Sequence, residues 1–296
     1  MNMDVEGTIR REGAKVIVEA PGDPSLEGMP GIICFNANEP SEDRYYQKLF
    51  VRKQIWLPNE YAQAIAANVA HPDNFVISMN GYSSIKPDQC RRYGMQPGAY
   101  EEACAAILRN ALKHLLGKFH AQLRLIYGAS DMGVDAAIER VAREFNLYPL
   151  GFSCPRFMLY VKDDDMPVYV AESRDAYADR FIKSLDLLIA TGGREHALRH
   201  DILASCLYNK RIHFVDVLNI LSDTGGVPAV AIDAEGNFRV ENAAAAMGRN
   251  VSFFDRDSAL RLAPSTGDRW DAVFADVASV ATDVCRRKMS PARKFA

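Results

Sequence analysis

The stretch LRLIYGASDMGVDAAIERVAREF, Leu123–Phe145, decides the fold class of this chain. Leu123–Tyr127 is a compact apolar run of strand length, closed by Gly128. Asp135–Phe145 then places apolar residues at helical spacing, so the whole reads strand, small-residue loop, helix. Gly133 opens that helix, and Ala136-Ala137 let it pack close to a sheet. The spacing of the two glycines is neither GxGxxG nor a Walker A loop, since no Gly-Lys-Ser/Thr follows. Two readings of the loop stay open. It is a phosphate cradle of backbone N–H groups ahead of a helix N-terminus, or an ordinary βα turn with a glycine at each end.

The same alternation continues in both directions. Upstream, Phe75–Met79 is an apolar run ending in Asn80-Gly81-Tyr82-Ser83-Ser84, and Tyr100–Leu116 carries helical spacing. Downstream, Leu147–Phe152 reads as a strand, Asp175–Ser184 as a helix and Leu185–Ala190 as a strongly apolar strand running into Thr191-Gly192-Gly193. His196–Tyr208 can be helical and Ile212–Leu218 is a further strand. Strands alternating with helices of this length imply βαβ units, hence an α/β fold with a parallel sheet covered on both faces. This core is expected over residues 74–221.

The flanks read differently. Val16–Val18 and Gly31–Phe35 look like short strands around the turn-rich Pro21-Gly22-Asp23-Pro24. Leu49–Ile55 alternates weakly as a strand, and Pro58–Val69 has a proline suited to a first helical turn. Residues 1–73 are therefore expected to form a strand-containing N-terminal extension. In 222–296, Val227–Ile232 and Phe238–Val240 flank a hairpin turn, Asn250–Phe254 reads as one more strand and Asp268–Arg287 as a closing helix. These C-terminal strands and the helix are expected to pack on the core.

Composition bounds the function classes. The 296 residues are 48% hydrophobic and 25% charged, which excludes collagen-like, disordered and disulfide-scaffold chains. A net charge of −3 gives no footprint for nucleic acid or an anionic membrane. Cys34, Cys90, Cys104, Cys154, Cys206 and Cys285 form no CxxC pair, so no zinc site is expected. Without a signal-like segment or an apolar run of spanning length, the expectation is a cytoplasmic protein with reduced thiols.

Ligands of open parallel sheets sit beyond the carboxyl ends of the strands, where strand order reverses. Three such ends here are rich in small residues. Gly128, Ser130, Asp131 and Gly133 line one; Thr191, Gly192, Gly193 and Arg194, followed by His196, line the second; Asn80, Gly81 and Ser83 lie at the third. Arg194 and His196 can contact a phosphate or carboxylate, or they are solvated charges on a surface helix. His196 and His200 are four residues apart, but no Glu of an HExxH pattern lies between them, so no metal site is expected. Asp163-Asp164-Asp165 lacks the other ligands of a calcium loop and reads as a solvated loop.

The order of these elements resembles the Rossmann-like superfamily that groups the LOG phosphoribohydrolases (often misnamed lysine decarboxylases), DprA-like proteins and the nucleotide-sensing SLOG domains. Gly81-Tyr82-Ser83-Ser84 is similar to the family's first Gly-Ser-Ser turn, and Leu125–Ala137 to its second, Gly-rich signature. Asp186-Leu187-Leu188-Ile189-Ala190-Thr191-Gly192-Gly193 matches the front half of its third, and Asn209–Val215 its later Lys-Pro-hydrophobic strand. The resemblance spans about residues 74–220 and implies a Rossmann-like sheet, a nucleotide or ribose-phosphate ligand and a homodimer, with no further cofactor. It also implies an arginine upstream of the third signature, for which Arg180 is better placed than Arg174.

Departures from the pattern bear on activity. Thr191 stands where the enzymes have Pro, and Glu195-His196 replaces the Gly-Thr that helps bind phosphate. The catalytic Glu falls by counting at Arg199, and an arginine can neither stabilise an oxocarbenium-like centre nor activate water. Glu195 or Asp201 takes that role only if the helix register shifts. The expectation is a sensor or sequestering protein for a nucleotide or ribose-phosphate derivative. The alternative is a phosphoribohydrolase cleaving the N-glycosidic bond of a nucleoside monophosphate.

Overall fold

The computed structural model describes residues 7–35, 45–71, 73–83, 91, 96–119, 122–191, 208, 210–215, 228–232, 238–242 and 251–254. The strands and helices, in chain order, are β1 (Thr8–Glu12), β2 (Lys15–Pro21), β3 (Ile32–Phe35), β4 (Tyr45–Phe50), β5 (Ile55–Trp56), α1 (Tyr61–Asn68), β6 (Phe75–Asn80), α2 (Ala99–Phe119) and β7 (Leu123–Tyr127). They continue with α3 (Gly133–Glu144), β8 (Leu150–Ser153), β9 (Val168–Val170), α4 (Arg174–Ser184), β10 (Leu187–Ala190), β11 (Arg211–Val215), β12 (Pro228–Ile232), β13 (Phe238–Asn242) and β14 (Val251–Phe254).

Eight strands form one sheet in the order β14-β11-β10-β6-β7-β8-β9-β5, and every neighbouring pair is parallel. From β6 the chain winds outward through β7, β8 and β9, then returns to lay β10 on the other side of β6. The fold is α/β and Rossmann-like, with its reversal of strand order between β6 and β10. Parallel strands buried on both faces need apolar residues at successive positions. Phe75, Ile77 and Met79 of β6 join the apolar cluster under α2 and α3, whereas Val76 joins the cluster under α1 and α4. Strand β10 divides likewise, Leu187 and Ile189 to one side and Leu188 and Ala190 to the other. Each fully buried side chain of this size contributes roughly 1.5–3 kcal/mol through burial.

The N-terminal strands form a separate antiparallel sheet in the order β1-β2-β4-β3. One face carries Val16, Val18, Ala20, Tyr46 and Phe50, all buried. Val16, Val18 and Phe50 belong to the same apolar cluster as α2 and α3, and Ala20, Leu26 and Tyr46 close on Leu159. The parallel sheet also takes in β5 and its covering helix α1 from the stretch read as extension, and β14 from the tail. Strands β12 and β13 pair with each other as an antiparallel hairpin.

Two sequence expectations are corrected here. The strand expected over Leu49–Ile55 is cut in two, because the Asp163 carboxylate accepts the N–H groups of Val51, Arg52 and Lys53 at 3.2, 2.9 and 3.0 Å. Those amides cannot also serve a strand ladder. Nor is Asp163-Asp164-Asp165 simply a solvated loop. Asp164 pairs with the buried Lys53, whose Nζ also donates to the Met166 carbonyl at 2.8 Å. Only Asp165 stays largely in water, at 68% side-chain exposure. Strands β1 and β9 were not foreseen at all. The closing helix expected over Asp268–Arg287 and the one over His196–Tyr208 lie outside the described residues, Tyr208 apart.

No helix among the described residues is long and apolar enough to cross a membrane.

Candidate functional site

The reversal of strand order brings the ends of β6 and β10 side by side. Thr191 follows β10 directly, and its N–H donates to the Asn80 carbonyl at 2.8 Å. Its hydroxyl donates to the same carbonyl at 3.1 Å. Asn80 turns its side chain back so that Oδ1 accepts the Gly81 N–H at 2.8 Å. A Cβ on Gly81 would overlap Tyr100 Oη and lie 2.6 Å from Thr191 Oγ1. Only glycine allows the loop after β6 to run this close to the first turn of α2.

The loop after β6 is tied to α3 as well. The Tyr82 carbonyl accepts the Val134 N–H at 3.1 Å. Gly133 has a φ of +54°, a conformation that glycine adopts without strain, and a Cβ there would overlap the Tyr82 carbonyl. Thus Asn80, Gly81, Ser83, Gly133 and Thr191 gather at one end of the sheet.

The Gly128–Gly133 loop is filled from within. The Asp135 carboxylate, from the first turn of α3, accepts the Gly128 N–H at 2.9 Å, the Ser130 N–H at 3.2 Å and the Ser130 hydroxyl at 2.7 Å. A carboxylate of the chain itself therefore accepts the amides that the phosphate reading of this loop would use. Burial pushes the Asp135 carboxyl above its ordinary range, while the Ser130 hydroxyl and the two amides oppose that rise. Asp131 sits at the outer lip, with its N–H donated to the Tyr160 carbonyl and its carboxylate paired with Lys162.

Arg180 is placed elsewhere. Its guanidinium makes a two-pronged pair with Glu172, at 2.8 Å on each side, and touches the Tyr169 hydroxyl. It also lies over the rings of Tyr61 and Tyr169 at 5.2 and 5.6 Å. Tyr169 belongs to β9, three strands from β6, a separation of about 14 Å at ordinary strand spacing. Gly192, Gly193, Arg194, Glu195, His196, His200 and Asp201 lie outside the described residues.

Sequence reasoning missed Tyr100 and Cys104. Tyr100 is 2% exposed, and its Oη lies 2.8 Å from the Tyr82 nitrogen and 2.9 Å from Thr191 Oγ1. Cys104, one turn along α2, places Sγ 3.5 Å from the same hydroxyl. Burial pushes the Tyr100 phenol well above its ordinary range and the Cys104 thiol up to about 12. A thiol in that state is no nucleophile at neutral pH. The only legible sign was the helical spacing that made both residues core. Among the described residues no three His, Cys, Asp or Glu side chains are grouped to hold a metal.

No protein-family profile matches the sequence, and no curated protein matches it. Among solved structures, the chain is similar to the molybdenum cofactor carrier protein from Chlamydomonas reinhardtii at 13% identity and a TM-score of 0.41, over 71% of this chain and 99% of that one.

Proposed function

We propose that this protein binds a nucleotide or ribose-phosphate derivative at the carboxyl ends of β6 and β10, as a sensor or sequestering protein. The observation that carries the reading is the reversal of strand order at β6 and β10, where Gly81 and Thr191 meet. Crevices at such reversals are where open parallel sheets take ligands. In this reading Asn80, Gly81, Ser83, Gly133 and Thr191 form the floor. The phosphate falls to the Gly192-Gly193-Arg194 segment with His196, because the Gly128 and Ser130 amides already serve Asp135. Backbone N–H groups and one arginine suffice for a phosphate, and a net charge of −3 does not oppose that. The homodimer implied by the resemblance belongs to the same reading, and sedimentation at twice 32.9 kDa checks it.

The test is thermal unfolding with AMP, GMP, CMP, UMP, ribose 5-phosphate and NAD, each titrated to saturation. A ligand at a hundred times its Kd stabilises the folded chain by about 2.7 kcal/mol. Arg194→Ala is expected to abolish that shift. No stabilisation by any of the six overturns the reading. Release of free base from a nucleoside monophosphate, lost in Glu195→Gln or Asp201→Asn, would replace the sensor by the phosphoribohydrolase.

A further inference from the structure

The hydrogen bonds at the junction of β6 and β10 run in one direction. The Tyr82 N–H donates to Tyr100 Oη, and the Thr191 hydroxyl donates to the Asn80 carbonyl. A hydroxyl has one hydrogen, so across the 2.9 Å between them Tyr100 donates and Thr191 accepts. The chain of bonds leaves the β6 loop at Tyr82, passes through α2 and β10, and returns to the β6 loop at Asn80. Tyr100 and Thr191 are 2% and 0% exposed, so water does not compete for these bonds. Linked bonds of this kind strengthen one another in a dry interior. Cys104 Sγ approaches Thr191 Oγ1 from the same face of α2 as a further support.

We infer that Tyr100 is a positioning residue of the ligand site. Its phenol bridges the loop after β6 and Thr191, and sets where Tyr82 stands relative to Thr191. The inference rests on the binding proposed above. Without the phenol oxygen the Thr191 hydroxyl loses one donor and the Tyr82 N–H this acceptor, so the loop after β6 samples several positions against Thr191. Only one of these fits the ligand. Apparent affinity then falls in proportion to the fraction of molecules in the fitting arrangement.

The experiment is calorimetric titration of wild type, Tyr100→Phe, Thr191→Val, Thr191→Ser and the Tyr100→Phe/Thr191→Val double variant with the six compounds named above. Phe50→Leu, in the N-terminal sheet, serves as a variant destabilised away from the site. Tyr100→Phe and Thr191→Val are each expected to raise Kd about 3- to 10-fold, the range that one buried hydrogen bond spans. The double variant should lose less than the two single losses combined, since both singles remove the bond between Tyr100 and Thr191. Thr191→Ser, which keeps the hydroxyl, should lose less affinity than Thr191→Val, and Phe50→Leu should bind as wild type despite its lower stability. Wild-type binding with Kd unchanged in Tyr100→Phe overturns the inference and leaves the binding intact. An equal loss in Phe50→Leu also overturns it, by reducing the effect to general stability. If Tyr100→Phe does not fold, Thr191→Ser binding no better than Thr191→Val overturns the inference. Failure of wild type to bind any of the six overturns the binding proposal, and the inference with it.

Discussion

Replacing Gly81 by Ala should destabilise the fold through one atom, and removing that atom should restore part of the loss. The added methyl would overlap Tyr100 Oη and lie 2.6 Å from Thr191 Oγ1 and 3.3 Å from Tyr100 Cζ. The ring is 2% exposed and packed in the core, so it cannot swing away. Overpacking of this kind costs about 1–3 kcal/mol. A less flexible unfolded chain offsets roughly 0.4–1 kcal/mol of it, which leaves a net loss of about 1–2 kcal/mol. Tyr100→Phe removes two hydrogen bonds, a loss of about 2 kcal/mol. In the double variant the methyl occupies the space that the hydroxyl vacates. The remaining approach to Thr191 Oγ1 keeps the rescue partial, so the double loss should fall short of the sum by about 1 kcal/mol. Urea unfolding of the four proteins measures this, read from midpoints at constant slope. Additivity within about 0.3 kcal/mol would refute the reasoning, since Tyr100 Oη would then not be what Gly81 accommodates.

Three further outcomes are expected. Gly133→Ala places a left-handed backbone under a side chain and a methyl against the Tyr82 and Ser83 carbonyls, so unfolding experiments should show a loss of about 2–4 kcal/mol. Arg180→Ala should leave nucleotide affinity within about twofold while lowering stability by about 1 kcal/mol, the scale of an exposed pair plus its ring contacts; a loss of binding would put Arg180 back in the site. For Asp163, burial raises the carboxyl, but the N–H groups of Arg52, Lys53 and Val51 together hold it below its ordinary value of 3.8. A carboxyl lowered in the folded state contributes stability above 3.8 that is lost as pH falls through the lower folded value. Asp163→Asn should therefore flatten the stability profile below pH 3.8 relative to wild type, and an unchanged acid limb would contradict the three-amide contact.

Much of the parallel core was legible because burial on both faces leaves a run of apolar residues that no other element explains. Leu123–Tyr127 is found at its expected bounds, and α3, α4 and β10 lie within two residues of theirs. What escaped detection lies where one side chain outbids a periodic pattern. Leu49–Ile55 alternates like a strand, yet a carboxylate more than a hundred residues away takes three of its amides. Strand β9 is three residues long and follows Asp163-Asp164-Asp165-Met166-Pro167, a run whose polarity masks it. The glycines of the Gly128–Gly133 loop were visible, but the Asp135 carboxylate in its nest was not. Helical spacing places Asp135 on the first turn of α3 and leaves open whether its side chain turns outward or back over the loop.

By itself, then, the sequence determined the alternation of strands and helices, and with it a parallel sheet. It also determined that small residues stand at three strand ends. Periodicity is local, so it carries that much and no more. Only the tertiary structure decided the strand order, which sets β10 against β6 and makes Gly81 and Thr191 neighbours across more than a hundred residues. It alone placed the Tyr100 hydroxyl between them and moved Arg180 to the far strands. Contacts between distant residues depend on which faces pack together, and that is fixed by the global burial of apolar surface, which no short stretch of sequence encodes.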